Sequence, residues 1–288
     1  MLNLGRAGAF LLFLSILALP ATTVRTMPAG QDGGAVPDPI GLMREVRDAA
    51  LLDYEIQSGF TYIEERRDLR VSKLGKVQVG LLRTFQVFPA SRPGRTYKRL
   101  LAVDGKPLDP EELARRDREH QRHLAEEAER ERNETPGERA MRLREEREEL
   151  DERNAILHDA FAVFEPAIEG RETMDGQPVF RVALTPREDA RVTTREGRWM
   201  KEMAGRAWIS ESGRQIVKLD LEAQDDVTIG WGILGRVHEG SRFVFSRRLV
   251  DGVWLPAEVV FDATGRTLLF RTFDIDVVTR YSNYARMP

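Results

Sequence analysis

The feature that most constrains the fold is a series of short segments in which apolar and polar residues alternate, separated by turn dipeptides. Val77–Phe88 is the clearest, because its valines, Leu81 and Phe85 fall on alternate positions and would share one face of a strand. Nine further segments are strand-like by alternation or by β-branched content: residues 60–66, 97–103, 161–165, 178–184, 206–210, 215–223, 242–250, 253–261 and 267–278. We therefore expect a chain dominated by β-structure.

Short turn signals join these segments. The dipeptides are Asp104-Gly105, Asp175-Gly176, Ser212-Gly213, Asp251-Gly252 and Thr264-Gly265. Dipeptides of this kind connect antiparallel neighbours through tight hairpins. Strands at this spacing, with no helices alternating between them, favour an antiparallel sheet or barrel over a doubly wound parallel sheet. The predicted fold class is α+β, with a strongly curved antiparallel sheet, or unclosed β-barrel, of about ten to eleven strands.

One amphipathic helix precedes the strands. Asp38 is suited to cap it, Pro39 to occupy its first turn, and Gly59 stands where a C-terminal cap is expected. The apolar residues at three- and four-residue spacing are Ile40, Met43, Val46, Ala50 and Tyr54. We expect this stripe to cover the apolar face of the sheet.

Residues 109–158 interrupt the strand pattern with a charged stretch. From Glu111 to Arg153 it carries 16 acidic and 11 basic side chains, so an apolar seam has almost nowhere to lie. An N-cap residue followed by proline and glutamate occurs at Asp109 and again at Thr135, which predicts two helices with a break at residues 133–137. The simpler interpretation is a solvated helical insertion.

A second interpretation makes residues 109–158 a docking arm for a protein partner. A partner groove needs apolar anchors on the helix that it receives. The anchors available in this stretch are few: Leu113, Leu124, Met141, Leu143 and Leu150.

The N-terminus has the layout of a secretory signal peptide over residues 1–21. Arg6 precedes an apolar run at residues 9–19, which is shorter than the roughly 20 residues of an ordinary membrane span. Residues 22–37 form a predicted disordered leader, and residues 38–288 a single half-barrel domain. The chain has no cysteine, which excludes disulfides and thiol chemistry. We expect a periplasmic protein with a cleaved signal peptide; the alternative is an uncleaved membrane anchor.

No catalytic motif, glycine-rich phosphate loop or dinucleotide fingerprint is found in the sequence. We therefore expect a non-enzymatic protein without cofactor or metal. His120 and His123 lie three residues apart near Glu119 and Glu127, a spacing that could present two imidazoles and a carboxylate to one metal. In so charged a stretch, two solvent-facing histidines are the simpler interpretation.

Other groupings of polar residues also have simpler structural explanations. His158 beside Asp159 could be an oriented base, but a histidine near the C-terminal dipole of a helix is ordinary. Asp274 and Asp276 would share the outer face of a strand, and the sequence around Ser212 is a hairpin turn rather than a nucleophile elbow. The sequence pI of about 6.0 favours no nucleic-acid partner.

Residues 227–235, VTIGWGILG, form an uncharged apolar run with three glycines. A strand over this run would place Trp231 on one face and glycines on the other, which allows another group to approach the backbone closely. An interior strand or packed loop is one interpretation, and an apolar lip that contacts a ligand is the other.

Three stretches resemble a known group of exported bacterial proteins. They are YKRLLAVDGKPL at residues 97–108, followed by a charged helix, GRAWI at 205–209 and VWLP at 253–256. Together with an N-terminal amphipathic helix before a strand meander, they resemble the periplasmic lipoprotein-carrier superfamily (LolA/LolB-like). Within it they are similar to uncharacterised outer-membrane lipoprotein-sorting proteins. This resemblance implies an unclosed antiparallel barrel whose apolar concavity is covered by helices.

The resemblance also implies that the half-barrel holds a lipid or a lipoprotein acyl chain without covalent chemistry. Burying an acyl chain gains about 0.8 kcal/mol per CH₂ group. The candidate ligand-lining residues are Phe85, Trp208, Trp231 and Trp254. The alternative function is that of an envelope sensor or adaptor, which binds a protein partner through residues 109–158.

Overall fold

The structure is a computed structural model that describes residues 36–71, 77–90, 95–229, 235–266 and 272–287. The predicted signal peptide, most of the predicted leader and Trp231 lie outside these residues. Among the helices that are described, none is both long enough and apolar enough to cross a membrane.

The described residues form four helices and thirteen strands. The helices are α1 (Pro39–Ser58), α2 (Pro110–Arg132), α3 (Pro136–Val163) and α4 (Arg195–Met200). The strands are β1 (Phe60–Val71), β2 (Val77–Phe88), β3 (Tyr97–Val103), β4 (Lys106–Pro107), β5 (Phe164–Met174), β6 (Gln177–Pro186), β7 (Met203–Ser210), β8 (Ile216–Ala223), β9 (Val227–Ile229), β10 (Gly235–Val237), β11 (Arg242–Val250), β12 (Val253–Arg266) and β13 (Thr272–Arg286).

All of these strands belong to one antiparallel sheet. Its order is β4-β3-β2-β1-β13-β12-β11-β8-β7-β6-β5, and the short β10 pairs with β12 and with β9. The first strand therefore lies beside the last, and the two ends of the sheet, β4 and β5, do not pair with each other. This confirms the predicted α+β class with an unclosed, barrel-like antiparallel sheet.

Three predicted hairpin turns have the backbone that their sequence requires. In Asp104-Gly105, Asp175-Gly176 and Asp251-Gly252 both residues have positive φ, between 47° and 79°, as in a type I′ turn. The predicted turn at Thr264-Gly265 is wrong, because Gly265 lies inside β12. A Cβ atom on Gly265 would lie 2.3 Å from the Arg236 carbonyl oxygen. That glycine allows close packing rather than a reversal of the chain.

Helix α1 closes the main hydrophobic core. Leu42 and Val46 are each 1% exposed and pack with Phe180 of β6 and Ile209 of β7. The predicted stripe had the correct helix but was rotated, since Ile40 is 48% exposed while Leu42, which was left out of the stripe, is buried. Asp38 caps the helix as predicted, and its carboxylate accepts a hydrogen bond from Gly41 N at 2.7 Å.

Candidate interaction surface

The two helices of the insertion begin at strong local capping signals. The Asp109 carboxylate accepts from the backbone N–H of Glu111 at 2.8 Å. Thr135 and Glu138 form a reciprocal capping box, in which Thr135 N donates to Glu138 Oε2 at 2.9 Å. This hydrogen bond lowers the pKa of Glu138. Local sequence therefore sets both helix starts without help from a core.

Helix α2 lies against the outer face of β3. Its His120 ring stacks on the Tyr97 ring at a centroid distance of 3.7 Å and an interplanar angle of 4°. Its Asp117 accepts two hydrogen bonds from Arg99, at 2.9 and 2.6 Å, and one from the Tyr97 hydroxyl at 3.0 Å. The helix buries no residue, so it is held to the sheet by a ring stack and ion pairs rather than by a core.

The electrostatics of this contact favour a charged Asp117 and a neutral His120. Hydrogen bonding from Arg99 holds the pKa of Asp117 below its ordinary value. Burial lowers the pKa of His120, and the neighbouring His123 lowers it further. A groove of about 570 Å³ opens beside this contact, and its lining includes Phe88, Tyr97, His120 and Leu124.

Helix α3 extends away from the body over most of its length. No residue from Pro136 to Ala155 is buried, a stretch of roughly 30 Å at 1.5 Å per residue. Its exposed apolar side chains are Met141 (65% exposed), Leu143 (49%) and Leu150 (37%). Helix α2 contacts β3, whereas α3 contacts α1 and α4. The two helices thus diverge instead of packing along each other as a hairpin.

The C-terminal end of α3 is anchored to the body. Ile156 and Val163 are 5% and 0% exposed, and Asp159 is fully buried. The Asp159 carboxylate accepts from the backbone N–H groups of Thr193 and Thr194, at 2.8 and 2.7 Å. The predicted strand over residues 161–165 is therefore wrong for its first three residues, because this anchoring keeps them helical to Val163.

Asp159, which follows His158 in the sequence, has a structural role. It fixes the chain just before α4, where Thr194 caps the helix. Burial, the largest single influence, would raise the pKa of Asp159, but the hydrogen bonds from Thr193, Thr194 and His158 together hold it below its ordinary value. The exposed His158 ring approaches this carboxylate at 3.6 Å. The hydrogen bonds from Thr193 and Thr194 give this carboxylate a role in fixing the chain before α4.

The inner face of the sheet carries buried charges that the sequence interpretation missed. Glu64 of β1 is fully buried, and both of its carboxylate oxygens accept from Lys98 Nζ, at 2.9 and 2.6 Å. Burial lowers the pKa of Lys98, while Glu64 acts in the opposite direction. Glu64 lies in register with Phe85 on one side and with Tyr281 on the other. This part of the inner face is therefore aromatic and ionic.

A second buried ion pair joins α1 to the sheet. Arg247 Nη2 of β11 donates to Asp53 Oδ2 at 2.5 Å, and Gln215 Nε2 donates to the other carboxylate oxygen at 2.8 Å. Asp53 and Arg247 are 9% and 8% exposed. A sequence signal for this site existed, because Asp53 lies seven residues after Val46, which is two helical turns further along the buried side of α1.

The candidate lining residues occupy separate places. Trp254 is 4% exposed and packs in one cluster with Val179, Val217 and the partly buried Trp208. The Trp208 indole N–H donates to Glu172 at 2.7 Å. Phe85 lies in a different region, beside Glu64 and under the Arg66 guanidinium.

The structure thus brings Trp208 and Trp254 together and sets Phe85 apart from them. Trp231 is outside the described residues. The apolar run that contains it begins with the strand Val227–Ile229, and this strand pairs with Gly235–Val237.

The groupings that could have carried chemistry are dispersed. His120 faces Tyr97, while His123 is exposed and contacts Glu127 at 3.3 Å. Within the described parts of the chain, no three histidine, aspartate or glutamate side chains are grouped so that they could hold a metal ion. Asp274 and Asp276 are both exposed on β13.

Comparison with known proteins yields distant structural neighbours only. No protein-family model matches the chain, and no curated protein matches it. A DUF1329 family protein from Desulfovibrio piger is 11% identical, with a TM-score of 0.29 over 87% of this chain and 94% of that chain. The MucA/MucB complex of Pseudomonas aeruginosa gives 11% identity and a TM-score of 0.25, over 86% and 94%. A second structure of MucB, in complex with MucA(peri), gives 11% and 0.21, over 85% and 94%.

Proposed function

We propose that this protein is an exported, non-enzymatic binding protein that holds a protein partner through the helical pair α2 and α3. The observation that carries the proposal is the complete absence of buried side chains between Pro110 and Ala155, in two capped helices. This stretch adds no core to the body that bears it. Most of its side chains lie at the surface, where another molecule can contact them.

Local interactions support the helical conformation of the pair where tertiary contacts are few. Ion pairs spaced three or four residues apart run along both helices, including Arg115 with Glu112 and Glu119, and Arg144 with Glu148. Each such pair adds only a few tenths of a kcal/mol to helix stability in water. A long helix stabilised in this way presents its side chains before a partner arrives, which reduces the ordering cost of binding.

The apolar side chains on α3 are the natural anchors for such a partner. Met141, Leu143 and Leu150 are exposed on a helix that is otherwise strongly charged. Apolar anchors surrounded by charged groups are typical of helices that dock on a protein surface, where the charges select the partner and the anchors hold it.

Acyl-chain binding stays a prediction, and the inner face gives it less support. The buried Asp53–Arg247 ion pair lies there, and so does the buried Glu64 carboxylate with its partly exposed partner Lys98. An acyl chain is stabilised by contact with apolar side chains. A lining that includes charged side chains offers fewer such contacts. We therefore favour the adaptor function over the lipid carrier.

Site-specific photo-crosslinking in the living cell tests the proposal. A photoreactive benzoylphenylalanine at Leu143 should yield a discrete adduct heavier than the chain. The matched control is the same probe at Leu52 of α1, which is 57% exposed and lies outside the helical pair. The proposal fails if Leu143, Met141 and Leu150 yield no more adduct than Leu52.

A further inference from the structure

The exposed part of α3 carries a seven-residue repeat. Leu143, Leu150 and Leu157 recur at intervals of seven, and three residues before each stand Ala140, Arg147 and Asn154. Alternate spacings of three and four residues create the seam of a two-stranded coiled coil. All six positions are exposed except Leu157, which is partly buried near the anchored end. An exposed seam of this form has no counterpart within the described parts of the chain.

We propose that this seam pairs with the same seam of a second copy of the chain, in the antiparallel direction. The inference rests on the proposed function, because it names the partner of the same α3 surface. The direction follows from the charges that flank the seam. These are Arg144 and Asp151 on one side, and Arg139, Glu146 and Arg153 on the other.

A parallel pair would bring like charges together. In that arrangement a residue on one flank faces the residue five positions later in the second copy. Arg139 would face Arg144, and Glu146 would face Asp151. Both contacts are repulsive, so the parallel arrangement is disfavoured.

One antiparallel register makes attractive every flanking contact that joins two of these charged residues. It places Arg147 opposite Leu150 of the second copy, and Leu143 opposite Asn154. Arg144 then faces Asp151, Glu146 faces Arg153, and the two-fold symmetry of the pair repeats each contact. The aliphatic part of the Arg147 side chain can cover Leu150 while its guanidinium stays in water.

Shifting this register by one repeat in either direction removes the complementarity. One shift sets Arg144 against Arg144 and Glu146 against Glu146 of the second copy. The other sets Asp151 against Asp151 and Arg153 against Arg153. The charges therefore select one register out of three, and a polar seam residue such as Asn154 strengthens that kind of selection.

The interface is short, so the dimer is weak and concentration-dependent. Six seam layers span roughly 27 Å of helix, and two of the three seam residues that precede the leucines are polar. An interface of this size lies at the low end of specific protein contacts.

Cysteine cross-linking tests the register directly, because the chain contains no cysteine. Oxidising a mixture of Leu143→Cys and Asn154→Cys chains should give a disulfide-linked dimer. Neither variant alone should cross-link above background, because in this register each cysteine lies roughly 16 Å along the axis from its own copy. The matched control is Glu145→Cys mixed with Asn154→Cys, since Glu145 is exposed on the opposite side of α3.

A parallel coiled coil would instead cross-link Leu143→Cys with itself, and no coiled coil would leave the mixture at the level of the control. Either result overturns the proposal.

A charge exchange tests the same register with no change to the seam. Sedimentation equilibrium of the full mature chain measures the dimer dissociation constant. Asp151→Arg should raise this constant about tenfold, since two attractive contacts become repulsive. Adding Arg144→Asp to that variant should restore it. A double variant as weak as the single one, or a wild-type chain that is monomeric throughout, overturns the proposal.

The photo-crosslinks at Leu143 separate this inference from the proposed function. An adduct with the mass of two chains supports both. An adduct with a different protein, together with a monomeric chain in sedimentation, overturns the pairing and leaves the adaptor function in place. No adduct and no dimer overturn both.

Discussion

The Asp53–Arg247 pair joins residues on α1 and β11 that are far apart in the chain but buried together in the fold. Gln215 occupies the second carboxylate oxygen, so neither acceptor of Asp53 depends on water. A buried pair of this kind adds little net stability compared with apolar residues of the same shape. Removing one partner, by contrast, leaves an uncompensated charge.

We predict that Arg247→Met destabilises the protein by about 3 kcal/mol, because it leaves the Asp53 carboxylate buried without its cation. The double variant Asp53→Leu with Arg247→Met should recover most of this loss. Urea denaturation of the three proteins measures the difference. Arg115→Met, which breaks exposed ion pairs on α2, is the control and should leave the midpoint unchanged. Equal losses in the single and double variants would show that the pair acts through packing alone.

Single residues also show where sequence analysis stops. The Asp-Gly dipeptides predicted their turns correctly because a type I′ turn is set by local backbone preference. Thr264-Gly265 looked like another such turn, but Gly265 lies in a strand. The Arg236 carbonyl oxygen of a neighbouring strand approaches so closely that a side chain would not fit there. Glu64 was not singled out in the sequence, and its burial follows from the pairing of β1 with β2 and β13.

At the scale of the element, α2 is the helix whose position should respond to pH. Burial lowers the pKa of His120 when α2 is docked, so the docked helix binds fewer protons than the undocked helix near pH 6. Docking is then strongest above the ordinary histidine pKa of about 6.5 and weakens as the pH falls through it. Asp117, whose pKa is lowered by Arg99, remains charged throughout this pH range, so its hydrogen bonds continue to hold α2 to the sheet.

We predict that the amide hydrogens of α2 exchange faster at pH 5.5 than at pH 7.5, after correction for the intrinsic pH dependence of exchange. Hydrogen exchange with mass spectrometry measures this. In His120→Phe the ring still stacks on Tyr97 but cannot be protonated, so the difference should disappear. His123→Phe, in which the replaced ring was 60% exposed, should retain a pH dependence. A persistent difference in His120→Phe would assign the effect to another group.

The helix boundaries could be predicted closely, and the helix positions could not. Asp38, Asp109 and Thr135 are each the N-cap of an observed helix, because capping is a local property. The docking face of α2 is made by Asp117 and His120, which have no apolar periodicity that a sequence pattern would reveal. The short α4 was missed for a related reason, since it depends on the distant Asp159.

At the scale of the molecule, side chains of two kinds occupy the described inner face of the sheet. Leu42 and Val46 of α1 fill one part of its inner face, and the Glu64–Lys98 pair occupies another. We predict that the purified protein has the mass of the polypeptide alone in native mass spectrometry, and takes up no fluorescent fatty acid. A co-purifying lipid that is lost in Trp254→Glu or Phe85→Glu would contradict this and restore the carrier function.

The fold class could be predicted at this scale because antiparallel hairpins are encoded locally. Strands β2, β3 and β11 have the bounds that their alternation predicts. The order of the strands is a different matter. The neighbours β1 with β13 and β8 with β11 are distant in sequence, and no local pattern identifies such partners.

The pairing of β1 with β13 has a consequence for biosynthesis. Strands β1 to β4 and strands β5 to β8 can each assemble from neighbouring hairpins as the ribosome delivers them. The two groups become one sheet only when β13 arrives, because that strand lies between β1 and β12. Until then β1 presents an open edge to other chains. The residues of β13, which follow both groups in the chain, are therefore the ones that join two separate sheets into one.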